Sequence, residues 1–254
     1  MKIVSWNVNG IRACAKKGLA DFLRQEKPDI FCVQETKAHL EQVEPEVQKL
    51  SYPNAHWSSA KKKGYSGVAT FYRGPAVPFA NGFGIEAYDS EGRFLITEHP
   101  DFALFNIYFP NGGSGEVRHD FKQQFLADLR EHLRSRLAQG RDIIVVGDYN
   151  IAHREVDLYD PKRLAKESGF LTEERAWMDQ FFGLGFVDTF RQFHPDAKER
   201  YSWWSYRELA RVGNRGWRID YISVSEKLRD RVRSAEILDQ VEGSDHCPVV
   251  IEID

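Results

Sequence analysis

Eight short apolar runs, rich in β-branched and aromatic residues, recur along the chain and constrain its fold more than any other feature. Runs of this length and composition are typical of buried β-strands. A chain with this many of them is predicted to be built around β-sheets. The runs occupy residues 3–8, 30–33, 68–72, 94–97, 103–109, 143–146, 219–224 and 249–251.

Helical patterns separate only some of these strands. Apolar residues recur at helical spacing near residues 19–23, over 121–137 and over 177–182. Between residues 57 and 109, by contrast, strands follow one another with turns only. This is neither a pure βαβ repeat nor a pure meander, so we expect an α/β protein with mixed sheets covered by helices.

We expect a single domain over residues 1–254. The 254-residue chain is long enough for one large α/β domain, and 42% of it is hydrophobic, which allows a sizeable core. It contains no repeat, low-complexity tract or Pro/Ser-rich linker at which it could be divided. Two long loop-like stretches, residues 150–172 and 193–218, are candidates for a functional role.

Cysteine usage and the N-terminal sequence indicate a cytoplasmic protein. The three cysteines, Cys14, Cys32 and Cys247, are widely spaced and fit neither a disulfide framework nor a metal-ligand pattern. The first residues lack the apolar region of a signal peptide, and no apolar stretch reaches the length of a membrane span. We therefore expect no membrane partner, and we expect a monomer.

The distribution of charge is more informative than its sum. A net charge of -3 argues by itself against a protein that coats nucleic acid non-specifically. Basic residues are nevertheless clustered within 12–17, 61–63 and 200–218. If the clusters converge on one face, they could neutralise phosphates, although each alone is also compatible with a solvated surface.

Amides and carboxylates recur at the ends of the predicted strands. Loops at strand ends commonly hold the ligands of layered α/β folds, and residues distant in sequence can meet there. If these ends meet, Glu35, Asp148, Asp220 and Asp245 share one pocket, with His246 beside them. Taken singly, each residue is also compatible with a turn, a helix start or a cap.

Several carboxylates in one pocket repel one another unless a cation is bound, and Mg²⁺ is the usual solution for oxygen ligands. Glu35 and Asp245, with Asn7 nearby, are candidate direct or water-mediated ligands, which leaves Asp148 available for proton transfer. A zinc site is disfavoured because thiolates and paired histidines at ligand spacing are absent.

Seven sequence blocks are together highly specific, and they follow one another across essentially the whole chain. They are SWNVNGIRA at 5–13, VQETK at 33–37, GYSGVA at 64–69, YFPNG at 108–112, GDYN at 147–150, GWRIDY at 216–221 and GSDHCP at 243–248. They closely resemble the signature blocks of the exonuclease III and abasic-site (AP) endonuclease family. This family lies within the endonuclease/exonuclease/phosphatase superfamily.

The resemblance implies a fold and an activity. The implied fold is a four-layer α/β/β/α sandwich with two mixed, mainly antiparallel sheets covered by helices. The implied activity is metal-dependent hydrolysis of double-stranded DNA 5′ to abasic sites, with 3′-5′ exonuclease and 3′-phosphatase activity on blocked 3′ ends.

The resemblance also implies the residues that hold the metal and activate water. Glu35, Asp245 and Asn7 would place Mg²⁺, or Mn²⁺ as a substitute, against the phosphate or the leaving oxygen. Asp148 and Asn150 would lie beside this metal site. Asp148, held by Asn150, would orient and deprotonate the attacking water.

Four further residues would act on the phosphate. His246 would hydrogen-bond a phosphoryl oxygen, with Asp220 fixing its tautomer and favouring its charged form. Tyr108 and Asn111 would donate hydrogen bonds to the phosphate or the leaving group. Which of Asp148, His246 and Tyr108 moves the proton is left open by the sequence.

The aromatic residues Trp203 and Trp217 have two interpretations. A tryptophan pair is often part of a core. In the family, however, aromatics at these positions line a small pocket that accepts a flipped-out abasic deoxyribose and has little room for a base.

Further residues would hold the DNA backbone on either side without reading sequence. These candidates are Arg12, Lys17, Lys63, Tyr65 and Arg207.

Two departures from the family pattern leave alternatives open. Asn9 stands where animal members carry an acidic residue, and Ser114 stands where they carry a DNA-inserting arginine. The enzyme could be mainly a 3′-5′ exonuclease, or could also cleave beside deoxyuridine. Another phosphodiesterase of the superfamily is disfavoured by the aromatic pocket, and an inactive DNA-binding protein is disfavoured by the complete set of polar residues.

Overall fold

Two six-stranded β-sheets form the framework of the protein, whose computed structural model describes residues 1–254. The strands are β1 Lys2–Asn7, β2 Ile30–Gln34, β3 Asn54–Ser58, β4 Val68–Tyr72, β5 Phe79–Asn81, β6 Phe94–Glu98, β7 Ala103–Tyr108, β8 Ile143–Asp148, β9 Phe186–Asp188, β10 Asp220–Ser225, β11 Val232–Ile237 and β12 Val249–Ile253. The sheet orders are β11-β12-β1-β2-β4-β3 and β5-β6-β7-β8-β10-β9.

Both sheets are mixed and mainly antiparallel, which confirms the fold class predicted from the sequence. The only parallel pairs are β1 with β2 in the first sheet and β7 with β8 in the second. All other neighbouring strands run antiparallel.

Helices cover the outer faces of the two sheets. They are α1 Ile11–Cys14, α2 Ala20–Glu26, α3 Pro45–Lys49, α4 Glu86–Asp89, α5 Glu116–Ala138 and α6 Thr172–Gly183, whereas α7 Thr189–Phe193 contributes Phe190 to the core between the sheets. A π-helical segment, Ala15–Leu19, joins α1 to α2, and short 3₁₀ turns occupy Leu40–Gln42, Glu155–Asp157, Ala210–Gly213 and Glu226–Arg231. No helix combines the length and the apolar character needed to cross a bilayer.

Successive side chains of the central strands point in alternate directions and so contribute to three apolar cores. In β1, Ile3 joins the core between the sheets, whereas Val4 and Trp6 pack with the residues of α1 and α2. In β7, Leu104 faces the other sheet and Phe105 packs beneath α5 and α6. Successive strand side chains point to opposite faces, so a strand buried on both faces needs a continuous apolar run. Three cores between four layers confirm the predicted α/β/β/α sandwich.

The four strands that the apolar runs did not predict are the four sheet edges. They are β3, β5, β9 and β11. All three residues of β5 are exposed, and only one residue of β9 is buried. An edge strand lacks a neighbour on one side and is less deeply covered, so it has no continuous apolar run to reveal it.

A polar network crosses the space between the sheets beneath the strand ends. The Asn106 amide on β7 donates to the carbonyls of Val33 and Ala69, at 3.3 and 2.9 Å, and to Thr70 Oγ1 at 3.1 Å. Its Oδ1 accepts a 2.8 Å bond from Gln34 Nε2. These bonds join β7 of one sheet to β2 and β4 of the other, and so fix how the two sheets face each other.

We expect Asn106→Leu to lower the free energy of unfolding by about 2–4 kcal/mol, because it removes four buried hydrogen bonds that join the two sheets. Urea denaturation measures the loss. The control is Asn81→Leu on the exposed edge strand β5, which removes only a solvent-exposed 3.3 Å bond to the Trp57 carbonyl and should change stability by less than about 0.5 kcal/mol. Equal effects of the two substitutions would contradict a role for Asn106 in fixing the sheets.

Candidate active site

Three of the predicted catalytic residues are direct neighbours in the second sheet. Tyr108, at the end of β7, is the register partner of Asp148 at the end of β8. Asp148 lies in turn opposite Asp220, the first residue of β10. Register partners project to the same face of a sheet, so the three side chains share one face at one edge of the sandwich.

Asn7 connects this group to the first sheet. Its Nδ2 donates to Glu35 Oε1 at 3.0 Å and to Asp148 Oδ2 at 2.9 Å, while its Oδ1 accepts from the backbone of Asn9. The side chain is completely buried. Asn7, predicted as a metal ligand, therefore lies between two carboxylates as a hydrogen-bond donor to both.

The loops that carry the site hold several non-glycine residues in the left-handed region of backbone space. The φ angles are 45° at Asn9, 52° at Glu35, 48° at Lys37, 47° at Ser66 and 51° at Asn150. Such conformations are unfavourable for most side chains and persist only where the surroundings enforce them. Here backbone bonds do so, including Lys37 N to Ser66 O at 2.8 Å.

Asp148 is held on both oxygens and is 1% exposed. Its Oδ1 accepts from the backbone N–H of Asn150 at 2.8 Å, and its Oδ2 accepts from Asn150 Nδ2 at 3.3 Å as well as from Asn7. Burial raises the pKa of Asp148 above its ordinary value, with His246 opposing this shift and Asp220 and Glu35 adding to it. The carboxylate is thus a fixed group with a strengthened affinity for a proton.

His246 forms a carboxylate-imidazole pair with Asp220. Its Nδ1 lies 2.8 Å from Asp220 Oδ2, and its Nε2 is 3.8 Å from Asp148 Oδ2. Ser202 Oγ donates to the same Asp220 oxygen at 2.6 Å. Burial alone would lower the pKa of His246, but Asp220 and Asp148 outweigh it and raise the pKa to about 10. The imidazole is therefore charged at neutral pH.

Asp245 reaches the cleft from the turn before β12. Its Oδ1 accepts from Asn9 Nδ2 at 2.8 Å and from Ser244 Oγ at 3.2 Å. Its Oδ2 accepts from the indole N–H of Trp203 at 3.1 Å. Asp245 thus lines the same cleft as Glu35, and it is held by residues of two other loops.

A metal ion fits the central donor set. One carboxylate oxygen each of Glu35 and Asp148 lie within 4.8 Å of each other and of a ring nitrogen of His246, whose charged imidazole offers no lone pair to a metal. Asp220 Oδ1 is buried and has no hydrogen-bond partner. Burial would raise the pKa of Glu35, but Lys37 and the Asn7 amide outweigh it and lower the pKa, so its carboxylate stays ionised. An acidic, oxygen-rich cluster of this kind suits a divalent cation.

A cavity of about 620 Å³ opens from these carboxylates towards the predicted aromatic pocket. Trp203 and Trp217 line it, and their ring centroids are 6.2 Å apart in an edge-to-face arrangement. The predicted functional loop 150–172 also lines the cavity, and it lies against Trp217. Gly169 on this loop has a φ of 100°, and a Cβ there would lie 3.1 Å from the Trp217 ring, so the wall needs glycine at this position.

Tyr108 and Asn111 border the same cavity. Burial raises the pKa of the Tyr108 phenol well above its ordinary value, with Glu35 adding to the shift and Arg93 opposing it. The phenol therefore stays protonated and can donate. Asn111 Nδ2 donates to Asn150 Oδ1 at 3.1 Å, so Asn111 is joined to the residue that holds Asp148.

Four of the predicted DNA-binding residues lie outside the cavity on the exposed surface. They are Arg12, Lys17, Lys63 and Arg207. Lys17 Nζ lies 5.9 Å from the ring centroid of Tyr206, so the basic segment after β1 lies beside the loop that carries Arg207.

Tyr65, the fifth predicted DNA contact, is held by two arginines. Its hydroxyl accepts from Arg93 at 2.7 Å and from Arg118 at 3.4 Å. Lys62 Nζ lies 5.4 Å from its ring centroid. The basic loop 61–63 is therefore close to Tyr65, on the side of the cleft that carries Tyr108.

Sequence reasoning missed a buried ion pair that supports Asn150. Lys122 Nζ donates to the Asn150 carbonyl at 2.8 Å and lies 2.5 Å from Glu174 Oε1, and both side chains are fully buried. Glu174 Oε2 accepts from the backbone N–H groups of Gly169 and Leu171. In the sequence these residues look like ordinary charged positions on helices, so no local signal could have revealed the pair.

Sequence reasoning also assigned no role to Lys37. Its Nζ lies 2.7 Å from Glu35 Oε2 and also contacts Asn9 Oδ1. The sequence feature that could have indicated a role for Lys37 is its position within the VQETK block.

A second buried ion cluster anchors the loop 150–172. Asp157 accepts from Arg218 Nε at 2.8 Å and from Arg191 Nη2 at 2.6 Å. Arg218 also pairs with Asp188 at 2.8 Å. Burial alone would raise the pKa of Asp157, but Arg218 and Arg191 outweigh it and lower the pKa to about 2. Since Arg218 follows Trp217 directly, this cluster fixes the pocket wall as well as the loop.

The sandwich and its acidic, histidine-containing centre define a hydrolase with a site for a divalent cation. The chain belongs to the endonuclease/exonuclease/phosphatase family, whose sequence model matches residues 4–246. This membership confirms the resemblance seen in the seven sequence blocks. Members of the family are metal-dependent.

Individual relatives are similar over essentially the whole chain. An exodeoxyribonuclease of Bacillus subtilis is 42% identical over 100% of this chain and 99% of its own length. The DNA repair nuclease APEX1 of Danio rerio is 40% identical over 99% of this chain and 81% of its own length. A 3′ phosphatase from Neisseria, solved with a product DNA hairpin, is 28% identical and superposes with a TM-score of 0.89, covering 100% of this chain and 99% of that one.

We expect Asp157→Asn to lower the free energy of unfolding at pH 7 by about 3–5 kcal/mol, because it leaves two buried arginines without their shared carboxylate. Folding lowers the pKa of Asp157, so its ionised form stabilises the fold above about pH 4, and this contribution is lost as the pH falls towards 2. At pH 3 the effect of the substitution should be smaller by about 1 kcal/mol.

Urea denaturation at both pH values measures the effect of Asp157→Asn. The control is Asp230→Asn at an exposed position, which should have little effect at either pH. A loss that does not shrink at pH 3 would contradict the lowered pKa.

Proposed function

We propose that this protein is a DNA repair nuclease that cleaves phosphodiesters 5′ to abasic sites in double-stranded DNA with the help of Mg²⁺. One observation carries the proposal: an aromatic pocket walled by Trp203 and Trp217 opens directly onto the carboxylates around Asp148. A phosphodiester at the carboxylates would place the adjoining sugar in this pocket. The relatives named exodeoxyribonuclease and DNA repair nuclease support the same activity. Residues 1–254 form one catalytic domain in this proposal.

Glu35 would hold Mg²⁺, with Asp148 close enough to share it and Asp245 contributing directly or through water. Asn7 and Asn150 would position these carboxylates, since their amide N–H groups point at them. When bound, Mg²⁺ neutralises the charge that builds on the phosphate, and Mn²⁺ can replace it. Oxygen donors at strand ends suit either ion.

Asp148 would accept the proton of the attacking water. Its raised affinity for a proton and its fixed orientation between Asn7 and Asn150 suit a general base. The Nε2 of His246 carries a proton towards Asp148 and the cleft, so it would donate to a phosphoryl oxygen, and Asp220 would keep it charged. Protonated Tyr108 would donate to the phosphate or the leaving oxygen, with Asn111 beside it.

DNA would lie across the mouth of the cleft. Arg12, Lys17 and Arg207 would hold the backbone on one side, with Lys63 and Tyr65 on the other. These groups contact phosphates and read no sequence. A net charge of -3 is compatible with this role because Arg12, Lys17, Lys63 and Arg207 are all exposed and could meet phosphates locally.

The same centre would also process 3′ ends. A neighbouring solved structure is described as a 3′ phosphatase with a product DNA hairpin, and a curated relative as an exodeoxyribonuclease. Hydrolysis of a terminal phosphate or nucleotide needs the same carboxylates but not an occupied sugar pocket. We therefore propose 3′-phosphatase and 3′-5′ exonuclease activity alongside abasic-site cleavage.

A duplex with one tetrahydrofuran abasic-site mimic tests the main activity. We expect a Mg²⁺-dependent cut immediately 5′ to the mimic, abolished by EDTA and restored by excess Mg²⁺. Gel separation of a 5′-labelled strand measures it. An unmodified duplex is the substrate control. No metal-dependent cut at the mimic would refute the proposed function.

We expect Asp148→Asn to slow this cut by about 10²–10⁴-fold, because it removes the proton acceptor and keeps the shape of the side chain. Binding of the same duplex, measured by fluorescence anisotropy in EDTA, should be retained. The control is Asp196→Asn at an exposed position, which should cleave at the wild-type rate. Lost binding with intact chemistry would contradict the role of Asp148.

We expect Trp217→Ala to reduce abasic-site cleavage at least about tenfold more than removal of a 3′ phosphate, because only the first substrate fills the aromatic pocket. The ratio of kcat/KM on the two duplexes measures this effect. Trp217→Phe keeps an aromatic wall and should return the ratio of kcat/KM on the two duplexes most of the way to the wild-type value. Equal losses on both substrates would mean that Trp217 is only a core residue.

A further inference from the structure

Lys37 stands at the centre of a chain of contacts that joins the two outer carboxylates of the site. Its Nζ lies 2.7 Å from Glu35 Oε2 and contacts Asn9 Oδ1. The other end of the Asn9 amide, Nδ2, donates to Asp245 Oδ1 at 2.8 Å. One ammonium group is thus linked directly to Glu35 and through one amide to Asp245.

The two oxygens of Glu35 have different partners. Oε1 accepts from Asn7, which is buried between Glu35 and Asp148. Oε2 is the oxygen that is paired with Lys37. Both Lys37 and Glu35 line the cavity. A divalent cation that binds Glu35 through Oε2 therefore has to displace an ammonium group that is already there.

The position of the Lys37 ammonium is set by the backbone. Lys37 has a φ of 48°, and its N–H bonds to the Ser66 carbonyl at 2.8 Å. Its side chain is 35% exposed, so solvent screens the charge less than at an open surface. An ordinary surface lysine has neither a backbone held in one conformation nor a buried carboxylate within reach of its ammonium group.

The balance of charge around Glu35 makes this cation important. The cleft is lined by the carboxylates of Glu35, Asp148 and Asp245, and His246 is the charged group paired with the buried Asp220 and close to Asp148. Lys37 alone pairs with Glu35. Removing it leaves His246, whose ring nitrogen lies within 4.8 Å of a Glu35 oxygen, as the remaining cation near Glu35, and also removes a positive charge that repels an incoming metal ion.

We propose that Lys37 is a built-in counter-ion of Glu35 that competes with the divalent cation for this carboxylate and so sets the metal affinity of the site. Lys37 is a positioning residue in this scheme, since it acts through Glu35 and Asn9. The inference rests on the proposed metal dependence, but it concerns metal binding alone and can be measured without DNA.

Isothermal titration of the full chain with Mn²⁺ tests the proposal. Lys37→Met should bind Mn²⁺ about tenfold more tightly than the wild type, because the repulsive charge and the competing partner are both removed. Lys37→Arg keeps the charge and should stay close to the wild type. The matched control, Lys227→Met, removes the same charge from an exposed position and should also leave the affinity unchanged.

Thermal unfolding provides a second measurement, for Lys37→Gln as well as Lys37→Met. In EDTA both variants should melt at a lower temperature than the wild type, and Mn²⁺ should raise their Tm by more than it raises that of the wild type. Unchanged or weaker Mn²⁺ binding by both variants would overturn the proposal, as would equal tightening in Lys227→Met. Cleavage of the abasic duplex is measured separately, so a failed nuclease assay with tighter Mn²⁺ binding would refute the proposed function and not the role of Lys37.

Discussion

Four carboxylates gathered in one cleft are the constraint on which the rest of the structure depends. Each would be costly to bury without partners, and each has them. The partners come from strand β1 and from five loops, so the site can form only when the sandwich is complete. Asp148 is held by Asn7 and Asn150, Asp220 by Ser202 and His246, Glu35 by Asn7 and Lys37, and Asp245 by Asn9 and Trp203.

The central strands could be predicted from the sequence because they are buried on both faces. Val145 packs beneath the helices while Val146, the next residue, packs against the other sheet, so β8 must be apolar from Ile143 to Val146. The edges β3, β5, β9 and β11 could not be predicted in this way. Their pairing depends on a neighbouring strand far away in sequence, and their own residues are partly exposed.

Much of the cleft could be predicted because its residues follow apolar runs directly. Asp148 ends a buried strand, and Asp245 and His246 precede one, so their positions follow from the strands. The pairing of Lys122 with Glu174 was not predictable, since each lies on a different helix and its local sequence does not indicate the other as its partner. The two-sided contacts of Lys37 likewise depend on how three loops meet. Local pattern identifies reactive groups, whereas the groups that support them are defined by tertiary contact.

The register of Tyr108, Asp148 and Asp220 has a consequence for how a substrate must be accommodated. Adjacent strands are about 4.8 Å apart, and this spacing cannot change without breaking the hydrogen bonds of the sheet. The three groups therefore behave as a rigid template whose dimensions are set by backbone geometry. Under the proposed function, the DNA must therefore change its shape to fit the site, by bending and by turning a sugar out of the helix. A nucleotide without a base unstacks at the least cost, so the stiffness of the sheet itself would favour damaged over intact DNA.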